Sequence, residues 1–124
     1  MLSLPSSVRI SLCTEPADMR RSFDGLAFLV QHILKSDPLS GHLFVFRNKS
    51  GDRVKVLFWD GDGYAIYYKR LEKGTYRFPP AREGSAVAIR AADLAMILDG
   101  VDLASVRRQP RYRRPTTSSS QPVT

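Results

Sequence analysis

The tightest constraint on this chain is a single apolar stripe. Met19, Phe23, Leu26, Ala27, Val30, Ile33 and Leu34 recur at spacings of three and four, which gathers them on one side of an α-helix. Such a helix must lie against an apolar layer supplied by the rest of the chain. The spacing predicts about four turns beginning near Asp18, with Asp18 or Thr14 placed to cap the free amides. Asp37-Pro38 is the expected stop, because a residue before proline avoids helical geometry. Gly25 inside the stripe costs about 1 kcal/mol relative to alanine, so it is expected to permit a close approach.

The layer that receives the helix reads as strands. Val8, Ile10 and Leu12 alternate with Arg9 and Ser11 in a short strand that Pro16 closes. Leu43 to Arg47 and Arg53 to Trp59 are strand-like runs joined by Asn48-Lys49-Ser50-Gly51-Asp52, a polar, glycine-containing hairpin loop. Asp60-Gly61-Asp62-Gly63 turns the chain into Tyr64 to Leu71, and Thr75 to Phe78 is expected to extend the meander until Pro79-Pro80. Ala86 to Ile89 is a further strand, and Ala91 to Asp99 a second helix with Leu94, Ile97, Leu98 and, just past its end, Val101 inward and Gly100 as terminator. This order predicts an α+β fold, an antiparallel β-meander packed against two helices, in preference to a parallel βαβ architecture. By alternation, Val54, Val56 and Phe58 share one face, while Lys55, Leu57 and Trp59 share the other. Ile66 and Tyr68 likewise oppose Tyr67 and Lys69, and the phase of Tyr68 with Ile66 makes it a core candidate. Both faces carry large residues, so the sheet is either covered twice or presents an aromatic and basic face to a partner.

Charge divides the chain. The net charge is +7 over 124 residues, yet Arg107, Arg108, Arg111, Arg113 and Arg114 stand in a final segment with no acidic residue. That leaves 14 lysines and arginines against 12 acidic residues before it, a nearly balanced surface of +2. Residues 1–105 are read as a single domain and 106–124 as a disordered tail, since its three prolines and serine-threonine run offer little apolar area against the entropy of ordering. An arginine-rich tail favours polyanions by counterion release, although the same composition also serves as a solubilising end. With Cys13 as the only cysteine, no intramolecular disulfide is possible and a reducing compartment suits the chain. No signal-like or membrane-spanning stretch stands out, so a cytoplasmic location away from membranes is expected.

Sites of chemistry are few. Asp60 and Asp62, with Asp52 nearby, invite a metal-site reading, but Asp-Gly pairs between strands are turn residues first. His32, His42 and Cys13 lack zinc spacing, and no nucleophile, phosphate or dinucleotide motif is present. No metal, cofactor or catalytic residue is therefore expected. The binding candidates are basic. Arg20 and Arg21 sit near the first helix start, where positive charge opposes the dipole and a partner would account for it. Arg47, Lys49, Arg53 and Lys55 bracket the hairpin loop, where they can grip phosphate. Among Tyr67, Tyr68, Lys69, Arg70, Lys73, Tyr76 and Arg77, where aromatic and basic residues interleave, Tyr67, Lys69 and Arg77 are the better exposed candidates for contact with nucleic acid.

Four ordered blocks add a resemblance. DMR-x-x-FDGLA from Asp18, FVFRN-x-x-GDR-x-K from Phe44, WDGDG from Trp59 and YKRLE-x-G from Tyr68 resemble the TnpB accessory proteins of the IS66 family of insertion sequences. These are second-reading-frame products, distinct from the RNA-guided nuclease of the same name. The resemblance covers nearly all of the chain before the tail. It implies participation in transposition beside a larger transposase, which carries the acidic catalytic residues, and a second small accessory protein. Phe78 and Leu103 depart from the family pattern, where tryptophan stands. The resulting expectation is a DNA-associated assembly factor that holds phosphate backbone and docks on the transposase. Its rivals are a pure protein-interaction module for the transposase and a nuclease-like enzyme that would need Asp24, Asp60 and Asp62 to converge.

Overall fold

The computed structural model describes residues 7–80 and 84–99. A five-stranded sheet runs in the order β4-β3-β2-β1-β5, built from β1 (Ile10–Cys13), β2 (Leu43–Arg47), β3 (Arg53–Trp59), β4 (Tyr64–Arg70) and β5 (Ala86–Ile89). Helix α1 (Phe23–His32) links β1 to β2, and α2 (Ala91–Leu98) follows β5. The fold is α+β, with β2, β3 and β4 forming the expected antiparallel meander. The sheet is nevertheless mixed. β1 lies parallel to β2, with Ile10 opposite Leu43 and Leu12 opposite Val45, while β5 is antiparallel to β1 on the far edge. Strand alternation alone carries no information about this pairing, and the helix between β1 and β2 is what allows a parallel return.

Both faces of the sheet are covered. On one, Leu94, Ile97 and Leu98 of α2 pack with Ile10, Leu12, Leu43, Val45, Val54, Val56 and Tyr76. On the other, Leu26, Val30 and Leu34 from α1 and the segment after it meet Cys13, Phe44, Phe46 and Leu57. The side-chain alternation expected for β3 and β4 is the one observed. Thr75 to Phe78 is not a strand. The Tyr76 amide donates to Gly51 O at 2.7 Å, its ring is buried in the α2 core, and the Arg47 guanidinium takes its carbonyl at 3.2 Å. One inward aromatic anchors the segment where a ladder was expected.

Helix α1 is shorter than its stripe. Met19, Arg20 and Arg21 form a separate turn, closed by Arg21 N–H to Asp18 O at 3.0 Å. The Met19 and Arg21 carbonyls, which a longer helix would use internally, are instead taken by the Lys55 ammonium at 2.8 Å each. Asp18 thus caps this turn, and the first helical bond runs from Leu26 N–H to Ser22 O. Phe23 and Ile33 end up partly exposed at the two ends of the stripe. The close approach that Gly25 permits is local: a Cβ there would stand 3.0 Å from Arg21 Cβ.

The α1 exit places a non-glycine residue in the left-handed region. Lys35 has φ 54°, and Ser36 N–H closes on Val30 O at 2.9 Å, a seven-residue loop around a left-handed residue of the kind glycine usually supplies at a helix end. Lysine there has a Cβ crowded by its own carbonyl. Lys35→Gly is expected to raise stability by about 0.5–1 kcal/mol, the relief of strain outweighing the looser unfolded chain. Urea unfolding followed by circular dichroism checks it, and an unchanged or lower midpoint contradicts it.

Candidate nucleic-acid interface

One end of the sheet gathers cations because three segments meet there: the turn before α1, the β2–β3 hairpin loop, and the end of β4. The hairpin is fixed from within. Gly51 has φ 81°, and Asn48 bridges the loop, its Oδ1 accepting Arg53 N–H at 3.0 Å and its Nδ2 donating to Asp52 Oδ1 at 2.8 Å. These bonds, the Asn48 amide above all, hold the Asp52 carboxyl below its usual range. The turn is tied across to the sheet through Lys55 and through Ala17 N–H to Arg47 O at 2.9 Å.

Lys55 is 7% exposed. Its ammonium serves the two loop carbonyls and lies 4.6 Å from the Tyr68 ring centroid. It therefore stands inside the fold and presents no free charge at the surface. Arg47 is half-buried, donates to Tyr76 O and lies 4.4 Å over the Phe78 ring, with burial lowering its pKa. Phe78 thus gives Arg47 an aromatic face to rest on.

Arg20, Lys49 and Arg53 do come together. They line an open groove of about 420 Å³ with Asp18, Met19 and Asn48. Arg20 extends its guanidinium to Asp18 at 2.7 Å, leaving that cation exposed but partly neutralised. Arg21 folds back over the start of α1, donating to Gly25 O at 3.3 Å. Lys49 is exposed at the hairpin tip.

The other candidates lie elsewhere. Tyr67 and Lys69 are on the α2 side of β4, where the Lys69 ammonium donates to Leu98 O at 3.2 Å. Arg77 is exposed on the segment after β4. Arg107, Arg108, Arg111, Arg113 and Arg114 lie outside the described residues, as do Gly100, Val101 and Leu103.

Two residues missed as candidates belong to the cationic end. Tyr68, expected in the core, is 47% exposed. It shares the face of Ile66 as its phase requires, but α1 covers only the Ile66 and Tyr64 end of that face. Arg70 stands opposite Arg53, and Tyr68 opposite Lys55. The signal was present: the turn from Asp60 to Gly63, closed by Asp60 N–H to Gly63 O at 3.0 Å, sets this register. Asp60 and Asp62 act as turn residues, and among the described residues no three His, Cys, Asp or Glu side chains group as metal ligands.

The described residues thus form an α+β fold with a cationic edge built from two loops and a strand end, and no helix among them is long and apolar enough to cross a membrane. The sequence profile of the IS66 Orf2-like proteins matches residues 8–108, and the chain belongs to that family, the accessory proteins of IS66 transposition. It is 45% identical over 102 residues to the uncharacterized protein y4hO of Sinorhizobium fredii (strain NBRC 101917 / NGR234), covering 82% of this chain and 88% of that protein. It is 38% identical over 116 residues to the uncharacterized protein y4jC of the same strain, covering 94% and 97%. No solved structure matches.

The electrostatics of the groove have a measurable signature. Hydrogen bonds from the Arg20 guanidinium, then from its backbone, hold the Asp18 carboxyl at about 2 against the usual 3.8. The ionised form is the bonded one, so the contact is complete above 3.8 and is lost as pH falls through about 2. Carbon NMR of Asp18 is expected to show this low midpoint, and Arg20→Gln to return it toward 3.8; a wild-type midpoint already at the ordinary value contradicts the pairing.

Proposed function

We propose that this protein is a non-catalytic DNA-binding accessory factor, which holds phosphate backbone on its cationic end while it docks on the transposase and a second small accessory protein. The observation that carries the reading is the convergence of Arg20, Lys49 and Arg53 on one open groove. Two segments far apart in sequence supply these cations, and a buried lysine ties the segments together. Contacts of this kind set position on a duplex without specifying its sequence. The arginine tail adds non-specific attraction to the same polyanion.

A second reading, a protein-interaction module alone, has one observation in its favour. Phe28 and Leu39 are 52% and 53% exposed and border a groove of about 360 Å³ on the outer side of α1 together with Ala27, Pro38 and Tyr64. In the proposed arrangement this surface, away from the cations, is where the transposase meets the domain.

Salt dependence separates the two readings. Each phosphate contact contributes about 0.9 to the slope of log affinity against log salt. The full chain carrying Arg20→Gln, Lys49→Gln and Arg53→Gln together is expected to bind the element's terminal duplex with a slope lower by about 2–3. Fluorescence anisotropy across a salt series reads this directly. An unchanged slope assigns all attraction to the tail and favours the protein-interaction reading.

A further inference from the structure

Tyr68 is an exposed aromatic ring that the fold holds still. Its cross-strand neighbour Lys55 lies 4.6 Å from the ring centroid, and that ammonium is itself pinned by the Met19 and Arg21 carbonyls at 2.8 Å. At the rim, the Arg53 guanidinium donates to the Tyr68 hydroxyl at 3.3 Å. The ring is thus restrained at two places, yet 47% of the residue is exposed. Because Lys55 occupies one ring face, the exposed area belongs to the other face and the edge.

The surroundings are those of a nucleotide. Tyr68 lines a shallow depression of about 400 Å³ with Arg53, Arg70 and Glu72. Arg70 stands opposite Arg53 across the β3–β4 pair, so the two cations lie side by side toward the strand end, just beyond the Tyr68–Lys55 pair. Glu72 partly offsets this through its pair with Arg70 at 3.4 Å, an exposed contact that phosphate can displace. Arg53 also lines the neighbouring groove with Arg20 and Lys49, so the cations continue from that groove to the ring.

A paired duplex keeps its base faces stacked on one another and offers none to a tyrosine, whereas an unpaired base offers one. We propose that Tyr68 is a base-stacking platform and that this face takes single-stranded nucleic acid, with Arg53 and Arg70, side by side beyond the ring, on the phosphates next to the stacked base. The inference rests on the nucleic-acid reading above and narrows it to a strand form. A ring already ordered by Lys55 and Arg53 loses little further freedom on binding, which favours a stable stack.

The test uses the full chain with Tyr68→Leu, Tyr68→Phe and Tyr68→Trp, measuring anisotropy with a labelled oligothymidine strand and with a blunt duplex of equal length at one salt concentration. Thermal unfolding checks that each variant folds. Tyr68→Leu is expected to weaken single-strand binding about 5- to 100-fold while duplex binding stays within about twofold, because Arg53 loses only its exposed bond to the Tyr68 hydroxyl and all the groove cations keep their charge. Phenylalanine and tryptophan, which keep a ring, are expected to retain single-strand binding. Equal losses on both ligands, no loss with leucine, or a wild-type chain that binds only duplex each overturn the stacking platform and leave the groove reading standing. A wild-type chain that binds neither ligand overturns both.

Discussion

Burying one lysine ammonium organises the cationic end of this protein. Lys55 sits in the middle of β3, on a face otherwise built from Leu57 and its neighbours. A charge withdrawn from water there needs partners. It finds two backbone carbonyls, from Met19 and Arg21, and the face of Tyr68. Hydrogen bonds to a charged group contribute about 1.5–3 kcal/mol each, enough to outweigh the continuation of α1 by another turn. The helix begins at Phe23 for that reason, and the turn ahead of it is drawn onto the hairpin.

The rest of the architecture makes this end available. Since α1 and α2 cover opposite faces of the sheet, its exposed side chains gather at the ends and edges and at the part of the α1 face around Tyr68 that the helix does not reach. Arg47 and Tyr76 close the α2 side of the same end. Lys49, Arg20, Arg53 and Arg70 are left pointing away from the core around a rigid frame. The cations that shape the frame and those that face solvent are different residues. Charge at a position in the sequence is therefore a poor guide to which role it plays.

Much of the fold could be read from sequence where periodicity is strong. The runs Leu43–Arg47, Arg53–Trp59 and Ala86–Ile89 are the observed strands, the faces of β3 and β4 alternate as expected, and Leu94, Ile97 and Leu98 are the buried residues of α2. The parallel β1–β2 pair was not legible, because pairing direction depends on where α1 returns the chain rather than on alternation. The start of α1 was misplaced because a residue 36 positions away from Met19 captures its carbonyl. Charge singles out Arg20, Lys49 and Arg53, which line one groove, and equally singles out Lys55 and Arg47, which the fold buries wholly or in part. Tyr68 was assigned to the core by phase alone, and the length of α1, which decides how much of that face is covered, lay beyond what phase can tell.

In the proposed reading Lys55, from inside the fold, builds a DNA-contacting surface that it does not itself touch. The most direct measurement is amide hydrogen exchange of the full-length Lys55→Met variant beside the wild type, with DNA affinity measured on the same samples. The expected result is a folded protein whose sheet protection is kept, whose Arg20 and Arg21 amides exchange faster as their turn is released, and whose affinity falls although a buried residue was changed. Unchanged protection at Arg20 and Arg21, or an affinity equal to that of the wild type once the turn is loosened, contradicts it.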